Sequence, residues 1–146
     1  MFSQQIVRRI GTAIACLSLA VQGGIAQETT KPQRVEIPAA AMSLEGIPTV
    51  RIDSTEGATT RRVLDPTEAT KSRLRVRVAD GQFYWATRGN SPLRLNASGE
   101  FTYLSSEPGQ YIRFTRLNDK ISYVEHVDLT FGSVTWFGEL RIVVGK

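Results

Sequence analysis

The chain has 146 residues, of which 41% are hydrophobic and 22% charged, with one cysteine and one histidine. That length supports one domain with a hydrophobic core, and a lone cysteine excludes both a disulfide framework and a cysteine-rich metal site. The formal charge of +4 is too small to single out a polyanionic partner, and nucleic acid is disfavoured.

Residues 1–26 read as an export signal. Arg8 and Arg9 precede an uncharged stretch from Ile10 to Ala20, and Gly24-Ile25-Ala26 offers a small-x-small cleavage pattern. The apolar run is shorter than the roughly 20 residues a membrane-spanning helix needs, so no transmembrane span is expected after cleavage. A secreted or periplasmic product without a thiol is the expectation, because Cys16 leaves with the leader.

Residues 27–33 are polar and unpatterned and read as a flexible tether, followed by a single all-β domain over 34–146. Within it, VEI, IPTVRI and RRVL look like short strands, and AAAMSLEG like a helical turn. Asp65-Pro66-Thr67-Glu68 offers an N-cap, a proline at the first helical position and a glutamate at the third. A short helical turn near 66–72 follows.

Beyond Ser72 the sequence alternates apolar and polar residues between turn signals, giving seven strands. A two-residue loop at Asp80-Gly81 sets Val76 against Trp85 and Arg77 against Tyr84. A three-residue loop at Ala97-Ser98-Gly99 sets Leu93 against Tyr103. A type II turn within Glu107–Gln110 sets Tyr103 against Phe114. A loop at Asn118-Asp119 sets Phe114 against Tyr123 and Ile112 against Glu125, and one at Phe131-Gly132 sets Glu125 against Gly138 and Val127 against Trp136. Only Arg88–Pro92 resists the scheme, which suggests a bulge or a change of sheet there. The fold class expected is all-β: an antiparallel meander closing into a small barrel, with a two-sheet β-sandwich as the alternative.

Chemistry is sparse. The run EHVD brings together Glu125, His126 and Asp128, but strand geometry turns Glu125 away from the other two. No catalytic set, metal site or cofactor motif is assigned, and the sequence argues against an enzyme. Two binding surfaces stand out instead. Glu125 lies on an otherwise apolar face, opposite the gap at Gly138, with Tyr103, Tyr123 and Trp136 as walls; this would form a small-molecule pocket unless a bulge or an arginine from elsewhere neutralises the carboxylate. Arg73, Arg75 and Arg77 recur at strand spacing beside Tyr84 and Arg88, a strip suited to an envelope polymer, a membrane surface or a protein partner. The function expected is therefore a secreted or periplasmic, non-enzymatic binding or interaction module acting through the pocket near Glu125, with the arginine face as the alternative and a hydrolase as the least favoured reading.

Overall fold

A computed structural model describes residues 31–145. The proposed leader and the first part of the tether lie outside them. Nine strands run in chain order as β1 (Ala41–Thr55), β2 (Ala58–Val63), β3 (Leu74–Ala79), β4 (Gln82–Trp85), β5 (Ser91–Ser98), β6 (Phe101–Glu107), β7 (Gln110–Leu117), β8 (Lys120–Leu129) and β9 (Gly132–Val144), with one helix, α1 (Pro66–Lys71), between β2 and β3. Consecutive strands pair from β3 to β9, and β1 joins β3 to β9. The result is a closed eight-stranded antiparallel barrel plus β2, so the barrel expectation holds.

Closure depends on β1, which is long enough to serve three neighbours. Its first half, Ser43–Gly46, pairs with β3; its second half, Val50–Thr55, pairs with β2; and nearly its whole length pairs with β9. The AAAMSLEG segment is thus mostly strand rather than a helical turn. Two small residues make the approach of β1 possible. A Cβ on Gly138 would run into the Ile47 carbonyl and come within 2.7 Å of Pro48 Cα, while one on Gly46 would sit 2.6 Å from Tyr123 Cε1.

Alternation puts Leu44, Leu74, Val76, Trp85, Leu93, Leu104, Ile112, Phe114, Tyr123 and Leu140 inside, almost fully buried. An eight-stranded barrel is just wide enough for such side chains to fill it. Both ends are covered. At the end holding the β5–β6 and β7–β8 turns, Gln33 pairs with Arg116 through two backbone hydrogen bonds of 2.8 Å, Val35 is buried, and Thr102 Oγ1 donates to the Val35 carbonyl at 2.7 Å. The tether therefore ends before Gln33, and VEI plugs the barrel rather than extending its sheet.

At the opposite end α1 packs Ala69 against Leu64, Val134 and Trp136. Asp65 caps it, accepting from Thr67 N at 2.8 Å and Glu68 N at 2.9 Å, and Glu68 reaches back to complete a capping box. A six-residue helix is too short to persist alone, so cap and packing must share the work. Asp65→Ala is expected to cost about 1 kcal/mol in chemical denaturation; an unchanged midpoint would mean that packing alone holds α1.

Candidate functional site

The covered end near α1 holds the acidic residue singled out from sequence. Glu125 points into the barrel and is 1% exposed. Its cross-strand partner is Trp136 rather than Gly138, because the β8–β9 turn is Thr130-Phe131 and every pair moves by two residues. Gly138 instead faces Tyr123, and the gap expected beside it is occupied by the backbone of β1. An even shift preserves faces, which is why Glu125, Tyr123 and Trp136 still point inward together.

Tyr103 does not join them. The Pro108-Gly109 turn forms as expected, with Gly109 at φ +78°, but a bulge between Ser105 and Glu107 then slips β6 by one residue. Leu104 turns in, opposite Ile112, and Tyr103 turns out, opposite Arg113. On the other side the β5–β6 turn has two residues, Gly99-Glu100, so Leu95 meets Leu104.

Arg88 neutralises Glu125. It belongs to the five-residue loop 86–90, whose Arg88 and Asn90 amides both donate to the Trp85 carbonyl and whose Gly89 and Asn90 adopt positive φ. The strand scheme failed at this loop, which changes no sheet but simply spans Trp85 to Ser91. From it Arg88 Nε and Nη2 donate to Glu125 Oε1 at 3.1 and 3.0 Å, and the guanidinium lies 4.5 Å from the centre of the Trp136 ring. A second arginine, Arg51, also faces this ring at 5.5 Å while paired with Asp53. Burial raises the Glu125 carboxyl above its ordinary range, against the opposing pull of the Arg88 charge and hydrogen bond and of the nearby Trp85 indole. Burial likewise raises the Tyr123 phenol, with the Glu125 charge adding to it.

Polar capacity is left over. Glu125 Oε2, Tyr123 Oη and the indole nitrogens of Trp85 and Trp136 are buried, and none meets hydrogen-bond geometry among the described residues, although the Trp85 indole lies near enough to Glu125 to favour its ionised form.

The arginine strip divides into separate units. Arg77 stacks on Tyr84, 4.4 Å from the ring centre. Arg88, as shown, serves the barrel end. Arg73 and Arg75 line a cleft of about 410 Å³ where β1 parts from β3, together with Glu45, Ile47, Leu74, Glu139, Leu140 and Arg141. Glu45 is the hub: Arg75 Nη2 approaches it at 3.5 Å and Arg141 Nε at 3.2 Å. The Arg141 hydrogen bond holds the Glu45 carboxyl below its usual range despite some desolvation, and the charges of Arg141, Arg75 and Arg73 add to the effect. Sequence reasoning missed the pairing of Glu45 with Arg141 because it lies across β1 and β9, which only the barrel closure brings together.

His126 lies on the outer face, stacked on Tyr111 at 5.1 Å, with Nδ1 2.8 Å from Thr135 Oγ1 and Nε2 3.0 Å from Asp128 Oδ1. No group of three or more potential metal ligands forms among the described residues, nor is any helix there long and apolar enough to cross a membrane. No family model, curated protein or solved structure matches the chain. Function must be argued from these sites alone.

Proposed function

We propose that this chain is an exported, non-enzymatic binding module whose arginine cleft takes the acidic headgroup of an amphiphilic molecule at an envelope or membrane surface. One observation carries the reading: three guanidiniums, Arg73 just before β3, Arg75 on β3 and Arg141 on β9, surround a cleft in which Glu45 is the carboxylate they share. Glu139, at the rim, is already paired with Lys120. Apolar contact at the cleft comes from the 56%-exposed Ile47, while Leu74 and Leu140 behind it face the barrel interior. A cleft of this size with convergent guanidiniums and the exposed aliphatic Ile47 suits an anion that carries an apolar portion. Export rests on the leader-like sequence of residues 1–26.

Binding to phosphatidylglycerol vesicles should exceed binding to phosphatidylcholine vesicles and should fall as salt rises. Replacing both Arg73 and Arg75 with alanine should weaken it roughly tenfold or more, at about 1 kcal/mol per basic residue near an anionic surface. Competition by inorganic phosphate would show that the headgroup alone suffices. Equal binding to both vesicle types, or no loss in the double variant, would sink the reading. Acidification has a definite sign. Above its lowered pKa, Glu45 is ionised and occupies Arg75 and Arg141; as pH falls through that value the carboxylate protonates and releases them. Anion binding should therefore strengthen below the ordinary carboxylate range, and Glu45→Gln should show the strengthened binding already at neutral pH.

The barrel end supports a second reading, a small polar guest beside Glu125, Tyr123 and Trp136. The four unpartnered buried atoms favour it, since buried polar groups ordinarily find partners. Entry would require the loop 86–90 to swing Arg88 aside, and Glu125→Gln should then alter guest binding while leaving vesicle binding intact.

A further inference from the structure

The outer face of β5, β6 and β7 carries a feature that neither reading uses. Slipped outward by the Ser106 bulge, Tyr103 stands beside Tyr111, ring centres 6.3 Å apart and planes tilted by 60°. Both rings are braced. Tyr111 stacks on His126, which is itself held by Thr135 and Asp128, and Tyr103 makes a T-shaped contact with Phe101, over which the Arg113 guanidinium lies at 4.7 Å. Together the two tyrosines form one wall of an open groove of about 660 Å³, with Arg94, Asn96, Ser98 and Ser105 along it and Glu107 at its end. The Asp128 amide donates to the Gly109 carbonyl at 3.0 Å, fixing the turn that closes that end.

We propose that this groove binds a neutral glycan chain. A pyranose ring offers an apolar C–H face to an aromatic ring and a rim of hydroxyls that each donate and accept. The groove answers both demands: tyrosine rings already half-buried and held in place give stacking surface at little entropic cost, and Asn96, Ser98 and Ser105 each carry both donor and acceptor capacity. Charge disfavours polyanions, because the lining carries one cation, Arg94, and one anion, Glu107, and the neighbouring Arg113 is engaged on Phe101, whereas single-stranded nucleic acid needs a cationic track beside its stacking platforms. Strand addition by a peptide is also disfavoured, since β6 and β7 are hydrogen-bonded on both sides. The groove is open rather than enclosed, which suits a segment of a polymer more than a compact metabolite.

Calorimetric titration of the full domain with a β-1,4-linked N-acetylglucosamine hexamer and a β-1,4-linked glucose hexamer tests the proposal, with an oligothymidylate and a proline-rich peptide as comparators. One of the two glycans should bind measurably below millimolar concentration, with little dependence on salt. Tyr103→Ala and Tyr111→Ala should each weaken that binding at least tenfold. Asn96→Ala, an exposed position with no packing role, should weaken it severalfold and serves as the check should either tyrosine variant fail to fold. Absence of binding to both glycans, binding unchanged in the folded variants, or tighter binding of the oligothymidylate or the peptide would overturn it.

Discussion

Arg88→Ala is expected to destabilise the barrel by about 3 kcal/mol at pH 8, with the loss shrinking as pH falls. Removing one partner of a buried ion pair typically costs about 3–5 kcal/mol, because the remaining charge is stranded. The lower figure applies because the Arg88 side chain is 37% exposed, so its own head is partly hydrated and the pair is partly screened. Glu125 has no such relief: it is buried with one oxygen already unpartnered. Burial raises its folded pKa above the unfolded value of about 4.3, so its favourable contribution is complete below the unfolded value and is lost as pH rises through the folded one. Taking Arg88 away removes the main opposing influence and pushes the folded value higher still. The variant should therefore lose stability more steeply than the wild type between pH 5 and pH 8 in urea denaturation. Glu125→Gln should behave oppositely, staying within about 1 kcal/mol of wild type at pH 8 with a flatter pH profile, since a neutral amide keeps the shape and Arg88 is free to turn to water. A pH-independent loss in Arg88→Ala would show that the arginine acts through its packing on Trp136 and not through the carboxylate.

How much of this was legible in the sequence depends on what each inference needed. The seven strands beyond Ser72, the β3–β4 and β7–β8 registers and the capped helix all follow from local signals: Asp80 and Gly81 both take the positive φ that a tight hairpin turn wants, and Asp65 with Glu68 makes its capping box within four residues. Failures came where a residue's role was set by a distant strand. Gly132 reads as a turn glycine, yet a Cβ there would come within 3.1 Å of Thr55 Cα, so it is small because β1 passes over it. The true turn lies one residue earlier. The bulge at Ser106 carries no proline or glycine of its own, and together with the two-residue Gly99-Glu100 turn it sets Tyr103 on the outer groove instead of in the interior. Arg88 was assigned to an exposed strip because a loop residue has no face to predict. The inward carboxylate was visible from alternation; its partner was not, because only closure of the barrel brings the loop 86–90 over β8.

Gly138→Ala separates these two accounts of the same glycine. Read from sequence, Gly138 leaves a gap beside Glu125, and a methyl group there would fill it at no cost or with a small gain. In the structure the space belongs to β1: the new Cβ would strike the Ile47 carbonyl oxygen and lie 2.7 Å from Pro48 Cα and 2.8 Å from Ile47 C. All three are backbone atoms, so no side-chain rotation relieves the contact. An added methyl in a packed interior costs roughly 1–3 kcal/mol when neighbours can adjust; here β1 itself must move, at the point where a bulge between Pro48 and Val50 already adjusts its register with β9. The expected loss is about 3 kcal/mol or more by denaturant unfolding, against roughly 0.5 kcal/mol or less for the exposed neighbour Glu139→Ala. Hydrogen exchange should locate the damage, with amides of Val50–Thr55 losing protection before those of β6 and β7, because the second half of β1 is held to the barrel only through β9 and the edge strand β2. A neutral or stabilising alanine would mean that β1 stands farther from β9 than the closed barrel requires, and the fork that shapes the arginine cleft would have to be redrawn with it.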